Sequence, residues 1–174
     1  NAELRKIFGV VPQKAVLFNG TVRENMLWGD QNASDEDILS ALETAQAKDF
    51  VLEKKGGLDF IIEQDGKNLS GGQRQRLTIA RALVARPEIL ILDDSSSALD
   101  FATDAKLRKA LGVLREERGL TTVTVSQRAT SVMHCDIIVV LDDGKIVGTG
   151  THDELMESSE VYREIFRSQN KEDK

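Results

Sequence analysis

The residues best suited to chemistry lie between Leu69 and Asp100, in the stretch LSGGQRQRLTIARALVARPEILILDDSSSALD. Ser70, Gly71 and Gly72 open a segment in which Leu77, Ala80 and Val84 recur at helical spacing, with Ile79 and Leu83 one turn apart beside them. This is a serine-capped helix start. Unpaired backbone N–H groups, the positive end of the helix dipole and glycines without a Cβ together suit an anion such as a phosphate. Pro87 ends the helix, and Ile89 to Leu92 form an unbroken apolar run expected to be a strand buried on both faces. Asp93 and Asp94 follow at its carboxyl end. Open α/β sheets bind ligands there, and a strand-end aspartate suits a hydrated magnesium ion.

Stepping outward, Ile7 to Val11 reads as a strand that Pro12 breaks before Gln13. Thr21 with Glu24, Ser34 with Asp37 and Thr151 with Glu154 have capping-box spacing; Trp28 and Gly29 close the first of these helices. The second carries an apolar face of Ile38, Leu39, Ala41, Leu42 and Ala45. Phe50 to Leu58 is expected to be a short helix ending in Gly56 and Gly57, and FIIEQDGKN a loop. Asp100 should cap a helix bearing Ala105, Leu107, Ala110, Leu111 and Leu114, which Gly119 stops. Thr121–Ser126 and Ile137–Leu141 read as strands, the second buried, with Asp143 and Gly144 turning a hairpin into Ile146 and Val147. A closing helix carries Val161, Tyr162, Ile165 and Phe166 before the polar tail SQNKEDK. Strands alternating with helices imply an α/β fold with a largely parallel sheet.

A length of 174 residues with 40% hydrophobic content fits one globular domain with an ordinary core. The net charge of -6 and a pI near 5.0 argue against nucleic acid or anionic lipid as the main partner. A single Cys135 allows no internal disulfide and reads as a small packed side chain. His134 and His152 read as surface or capping residues, since His134 and Cys135 have no further spaced ligands beside them. No apolar stretch approaches the roughly 20 residues that span a bilayer, and no signal peptide is evident.

The run LSGGQRQRLTIARAL resembles the signature motif of ABC-transporter ATPases. ILILDD resembles the Walker B strand of that family, and SSALD, Ser96 to Asp100, its D-loop. VPQKAVLFNGTVRENM is similar to the Q-loop and first helix of ABC exporters, TVTVSQRATSV to the H-loop region, and VVLDDGKIVGTGTHDEL to the closing strands and helix. The resemblance covers nearly the whole chain. It implies a P-loop NTPase (RecA-like) fold, a largely parallel sheet flanked by helices, built from residues 1–16 and 87–174, with an inserted helical subdomain over 17–86 that carries the signature.

ATP and Mg2+ are the cofactors the resemblance implies. Gln13 and Asp93 would serve the magnesium ion, while Ser70, Gly71, Gly72, Gln73, Ser97 and Asp100 would contribute to the nucleotide interface. The implied partners are a second ABC nucleotide-binding domain and the coupling helices of a transmembrane domain, which would place the chain at the cytoplasmic face of the membrane. Such domains pair head to tail, so that each ATP lies between one domain's P-loop and Walker B and the other's signature. Glu63 and Gln64, just before the signature, are candidates for the coupling contact.

Three departures from the family pattern bear on function. No GxxxxGK[ST] occurs, so the chain is expected to be about the last two-thirds of an ATPase domain and, alone, to bind ATP weakly or not at all. Asp94 stands where a hydrolytic member carries the glutamate that polarises water, and is shorter by one methylene. Gln127, in SQR, stands where the family has its switch histidine, and an amide cannot carry the proton. The last two changes weaken hydrolysis while sparing binding. They resemble the degenerate half of a heterodimeric exporter, whose intact signature completes the partner's site. Two rival readings are a non-hydrolysing, ATP-gated dimerisation module and a soluble ABC ATPase, the second disfavoured by the exporter-like stretches.

Overall fold

The computed structural model describes residues 7–169. In chain order the elements are β1 (Phe8–Val11), β2 (Gly20–Thr21), α1 (Val22–Leu27), α2 (Asp35–Thr44), α3 (Lys48–Glu53), β3 (Ile61–Ile62), α4 (Gly71–Val84), β4 (Ile89–Asp93) and α5 (Phe101–Arg118). There follow β5 (Thr121–Val125), α6 (Ala129–Val132), β6 (Ile138–Asp142), β7 (Lys145–Gly150), α7 (His152–Ser158) and α8 (Glu160–Gln169). Contacts group them into two compact units, the first ending at Val125 and the second starting at Ser126.

The first unit is built on a parallel sheet in the order β1-β4-β5, with Val11 level with Leu92 and Leu92 level with Thr124. Parallel strands need a crossover between them, and the segment from α1 to α4 supplies the first, α5 the second. Side chains alternate across a strand, so Val11, Leu90 and Leu92 share one face, and it is buried in a core with Leu77, Ile79, Leu83, Leu107 and Leu111. The opposite face is the more open one. Val10 is 58% exposed and Val125 54%, and Ile89 and Ile91 are only half-buried. The expectation that Ile89–Leu92 is buried on both faces is therefore corrected: alternate residues face a packed side and an open side.

Capping boxes set the starts of α1, α2 and α4, each with both reciprocal hydrogen bonds. The single helix expected over Phe50–Leu58 is instead α3 followed by a 3-10 turn at Gly57–Asp59. Gly56 and Gly57 both have positive φ, 104° and 54°, which breaks the helical path. The loop FIIEQDGKN contains β3, which pairs antiparallel with β2. On α5, Leu107 and Leu111 are buried but Ala105 is exposed, because the apolar stripe is narrower than its sequence suggests.

The second unit is a hairpin of β6 and β7 with α6, α7 and α8. Asp143 and Gly144 turn it with φ of 45° and 73°, the paired positive values a tight two-residue hairpin needs. Only Ile138 and Val140 of β6 are buried, so this strand too has one packed face rather than two. They pack with Leu155 and Tyr162, and Cys135 lies against this cluster. His152 caps nothing; its Nδ1 lies 2.8 Å from the Tyr162 hydroxyl, which burial pushes above its usual pKa. His134 is exposed. Ser168 and Gln169, expected to begin the polar tail, instead complete α8, and the rest of the expected tail lies outside the described residues.

Candidate functional site

At the start of α4, Ser70 is extended (φ -68°, ψ 162°), and its Oγ accepts from the Gln73 N–H at 3.2 Å. Gln73 Oε1 in turn accepts the Ser70 N–H at 3.0 Å. The Arg74 N–H already donates to the Ser70 carbonyl. Gly71 and Gly72 are left as first-turn residues whose N–H groups have no intrahelical carbonyl to reach. A Cβ at Gly71 would meet nothing nearer than an Arg74 nitrogen at 3.9 Å, an ordinary van der Waals contact. One at Gly72 would come within 3.2 Å of the Ala98 carbonyl. The signature helix therefore starts against the backbone of the loop holding Ser97.

Arg76 reinforces this start. Its Nε donates to the Gly72 carbonyl at 3.3 Å and its Nη1 to the carbonyl of Gln46, a residue at φ 58° in the turn between α2 and α3. The guanidinium lies 4.7 Å from the Phe50 ring centroid. Burial lowers the Arg76 pKa and the charge of Asp100 opposes that shift, so the two groups sense each other's field.

Asp93 ends β4 and is exposed. Asp94 follows in the left-handed region at φ 45°, a conformation that a short polar side chain tolerates and most residues resist. Its N–H donates to the Val125 carbonyl at 2.8 Å, and its carbonyl accepts the Ser97 hydroxyl at 2.8 Å. Both backbone polar groups of Asp94 are thus held. Asp100 caps α5: its Oδ1 accepts the Thr103 N–H at 2.9 Å and its Oδ2 the Thr103 hydroxyl at 2.8 Å. Those bonds to the charged form hold its carboxyl below the usual range.

Gln13 is exposed two residues beyond β1, and the register puts it at the same end of the sheet as Asp93 and Asp94. Gln127 belongs to the second unit, where it is exposed and its backbone carbonyl accepts from Gln169. The reach of Arg76 to Gln46 and of Gln169 to Gln127 and Ala129 has no sequence signal, because these partners are far away in the chain. Trp28, expected only to close α1, is 69% exposed and stacks on Phe18 at 4.7 Å between centroids.

The first unit therefore offers open glycine amides at a helix start and, at the carboxyl end of the sheet, two aspartates beside an amide side chain. The glycine amides suit an anionic phosphate, and the aspartates with the amide side chain suit a hydrated magnesium ion. A hydrated Mg2+ is commonly held by only one or two carboxylates.

The family model described as ABC transporter matches residues 1–97. The chain belongs to the ABC transporter family. Among family members, the ABC transporter ATP-binding protein YfiB of Bacillus subtilis is 45% identical over 95% of this chain and 28% of its own length. A putative multidrug export ATP-binding/permease protein of Staphylococcus aureus (strain NCTC 8325) is 42% identical, over 96% and 28% respectively. The solved structure of a bacterial Atm1-family ABC exporter with ATP bound matches with a TM-score of 0.91 and 33% identity, over 97% of this chain and 29% of that one. The chain thus spans little more than a quarter of these family members, and its fold is that of an exporter nucleotide-binding domain. No described helix is long and apolar enough to cross a membrane.

Proposed function

We propose that the chain is a part of an exporter's nucleotide-binding domain that carries its Q-loop, signature, Walker B and D-loop segments, working with ATP and Mg2+ in a head-to-tail pair. The helical subdomain is residues 17–86 and the RecA-like core is 1–16 with 87–174. The observation that carries this reading is the start of α4, where the Ser70 and Gln73 side chains each accept the other residue's backbone N–H and the Gly71 and Gly72 amides remain for a phosphate. In the pair this turn would face the partner's ATP. Gln13 and Asp93 would hold the magnesium ion on this chain's own side.

On that own side the chemistry is weakened. A general base must lie within hydrogen-bond reach of its water, and Asp94 withdraws the carboxylate by one methylene from where a glutamate would hold it. Gln127 can donate a hydrogen bond to a γ-phosphate but cannot take up a proton. The partner would therefore be a different subunit with a competent site, and this chain the hydrolysis-impaired half of a heterodimer. Exposed Glu63 and Gln64, beside the signature helix, would meet the coupling helices of a transmembrane domain, with the chain at the cytoplasmic face.

ATP hydrolysis by the complete transporter tests this. Ser70→Arg puts a long side chain into the phosphate-facing turn and should lower turnover by about a hundredfold or more, the scale of losing preorganised anion donors. Asp94→Asn should change it by less than about twofold, far below what loss of a working general base costs. The opposite ranking would make Asp94 a working base and the chain an active half. No turnover in the unmodified complex would favour the dimerisation module.

A further inference from the structure

The loop that carries Gln127 is held by a residue far along the chain. Gln169, on α8, donates through Nε2 to the Gln127 carbonyl at 2.6 Å and accepts through Oε1 from the Ala129 N–H at 2.8 Å. Arg128 between them is extended, at φ -94° and ψ 112°, which turns that carbonyl and that N–H toward the same side. A primary carboxamide presents one donor and one acceptor side by side and matches such a pair. Ala129 is also the first residue of α6, whose start receives no side-chain cap from Arg128. Its N–H would have no intrahelical partner, and Gln169 supplies one. A weaker local hold, from the Arg128 N–H to Ser126 Oγ at 3.0 Å, fixes the same loop from its other end.

We propose that Gln169 is a positioning residue for Gln127, so that α8 sets the aim of the side chain presented to the γ-phosphate. The proposal rests on the reading of Gln127 given above. Both hydrogen bonds of the Gln169 side chain go to backbone, and it acts by removing the freedom of the peptide groups on either side of Arg128. Losing either half of the clamp leaves Gln127 on a hinge between Ser126 and α6.

The test uses the complete transporter assembled with its partner subunit. It reads the azido-ATP concentration that half-saturates photolabelling of this subunit, and amide exchange at Ala129. Gln169→Ala should speed exchange at Ala129 and weaken labelling by about fivefold, the scale of one or two lost hydrogen bonds. Gln169→Glu keeps the acceptor for Ala129 but sets a carboxylate against the Gln127 carbonyl. It should protect Ala129 and still weaken labelling, which separates aim from folding. Gln127→Ala should weaken labelling comparably, and adding Gln169→Ala to it should change nothing further. Additive effects in that pair, or full labelling affinity in Gln169→Ala with fast Ala129 exchange, would overturn the proposal. An unchanged affinity in Gln127→Ala would remove the γ-phosphate role of Gln127, and the proposal with it.

Discussion

At the signature turn, Ser70 and Gln73 hold each other across three residues of sequence, and at the Gln127 loop the holding group is Gln169, 42 residues away. Both segments would face phosphate in an assembled pair. The first has its cap closed within four residues, with Arg76 adding one tie to the Gln46 carbonyl. The second depends on α8 being docked in its own unit. On the proposed reading, the turn that would serve another subunit's ATP is capped locally, while the loop that would face this chain's own nucleotide is tied to distant structure.

The sharpest way to strain that contrast is chemical repair of the own side. Changing Asp94 to Glu and Gln127 to His together in the complete transporter should raise turnover by about tenfold, since carboxylate placement to within about 1 Å is worth up to a hundredfold. An unchanged rate would mean that another residue limits that site. Next in size is the local cap: Ser70→Ala should destabilise the complete subunit by about 1 kcal/mol in chemical denaturation. Gln73→Ala should cost less when added to it, because the two caps are reciprocal. Fully additive losses would show that the two bonds act independently.

The smallest effect concerns Asp100. Its carboxyl is held below the usual range by Thr103, so the contribution to α5 is present above the unfolded-state value of about 4 and is lost as pH falls through the lower folded value. Amide exchange at Thr103 should accelerate as the medium is acidified, and Asp100→Asn should remove most of that dependence. A pH profile unaltered by the substitution would assign the acid sensitivity to other groups, Asp37 among them, whose carboxyl is likewise lowered by Ser34.

Much of this was legible in the sequence because the signals were local. Thr21 with Glu24, Ser34 with Asp37, Thr151 with Glu154, and Asp143-Gly144 each act within four residues, and each forms the cap or turn that its spacing implies. Burial was harder to read. The run Ile89–Leu92 looks equally apolar on both sides, and only the register with β1 and β5 shows which side is packed. Ala105 looked like a core residue by spacing alone, yet a small side chain at the margin of a helical stripe can stay in water at little cost. Arg76 reaching Gln46, and Gln169 reaching Ala129, leave no periodic trace at all.

The capped helix starts also bear on how the domain is made. Loop closure slows the pairing of strands distant in sequence, and β1 must wait for β4, with Phe8 opposite Ile89. Helices with reciprocal caps at Thr21, Ser34 and Ser70 all lie between those two strands and can form transiently before either is paired. During synthesis the helical insert would therefore be structured while the parallel sheet is still open, and the emerging chain would expose the β1 edge until Ile89–Asp93 leaves the ribosome.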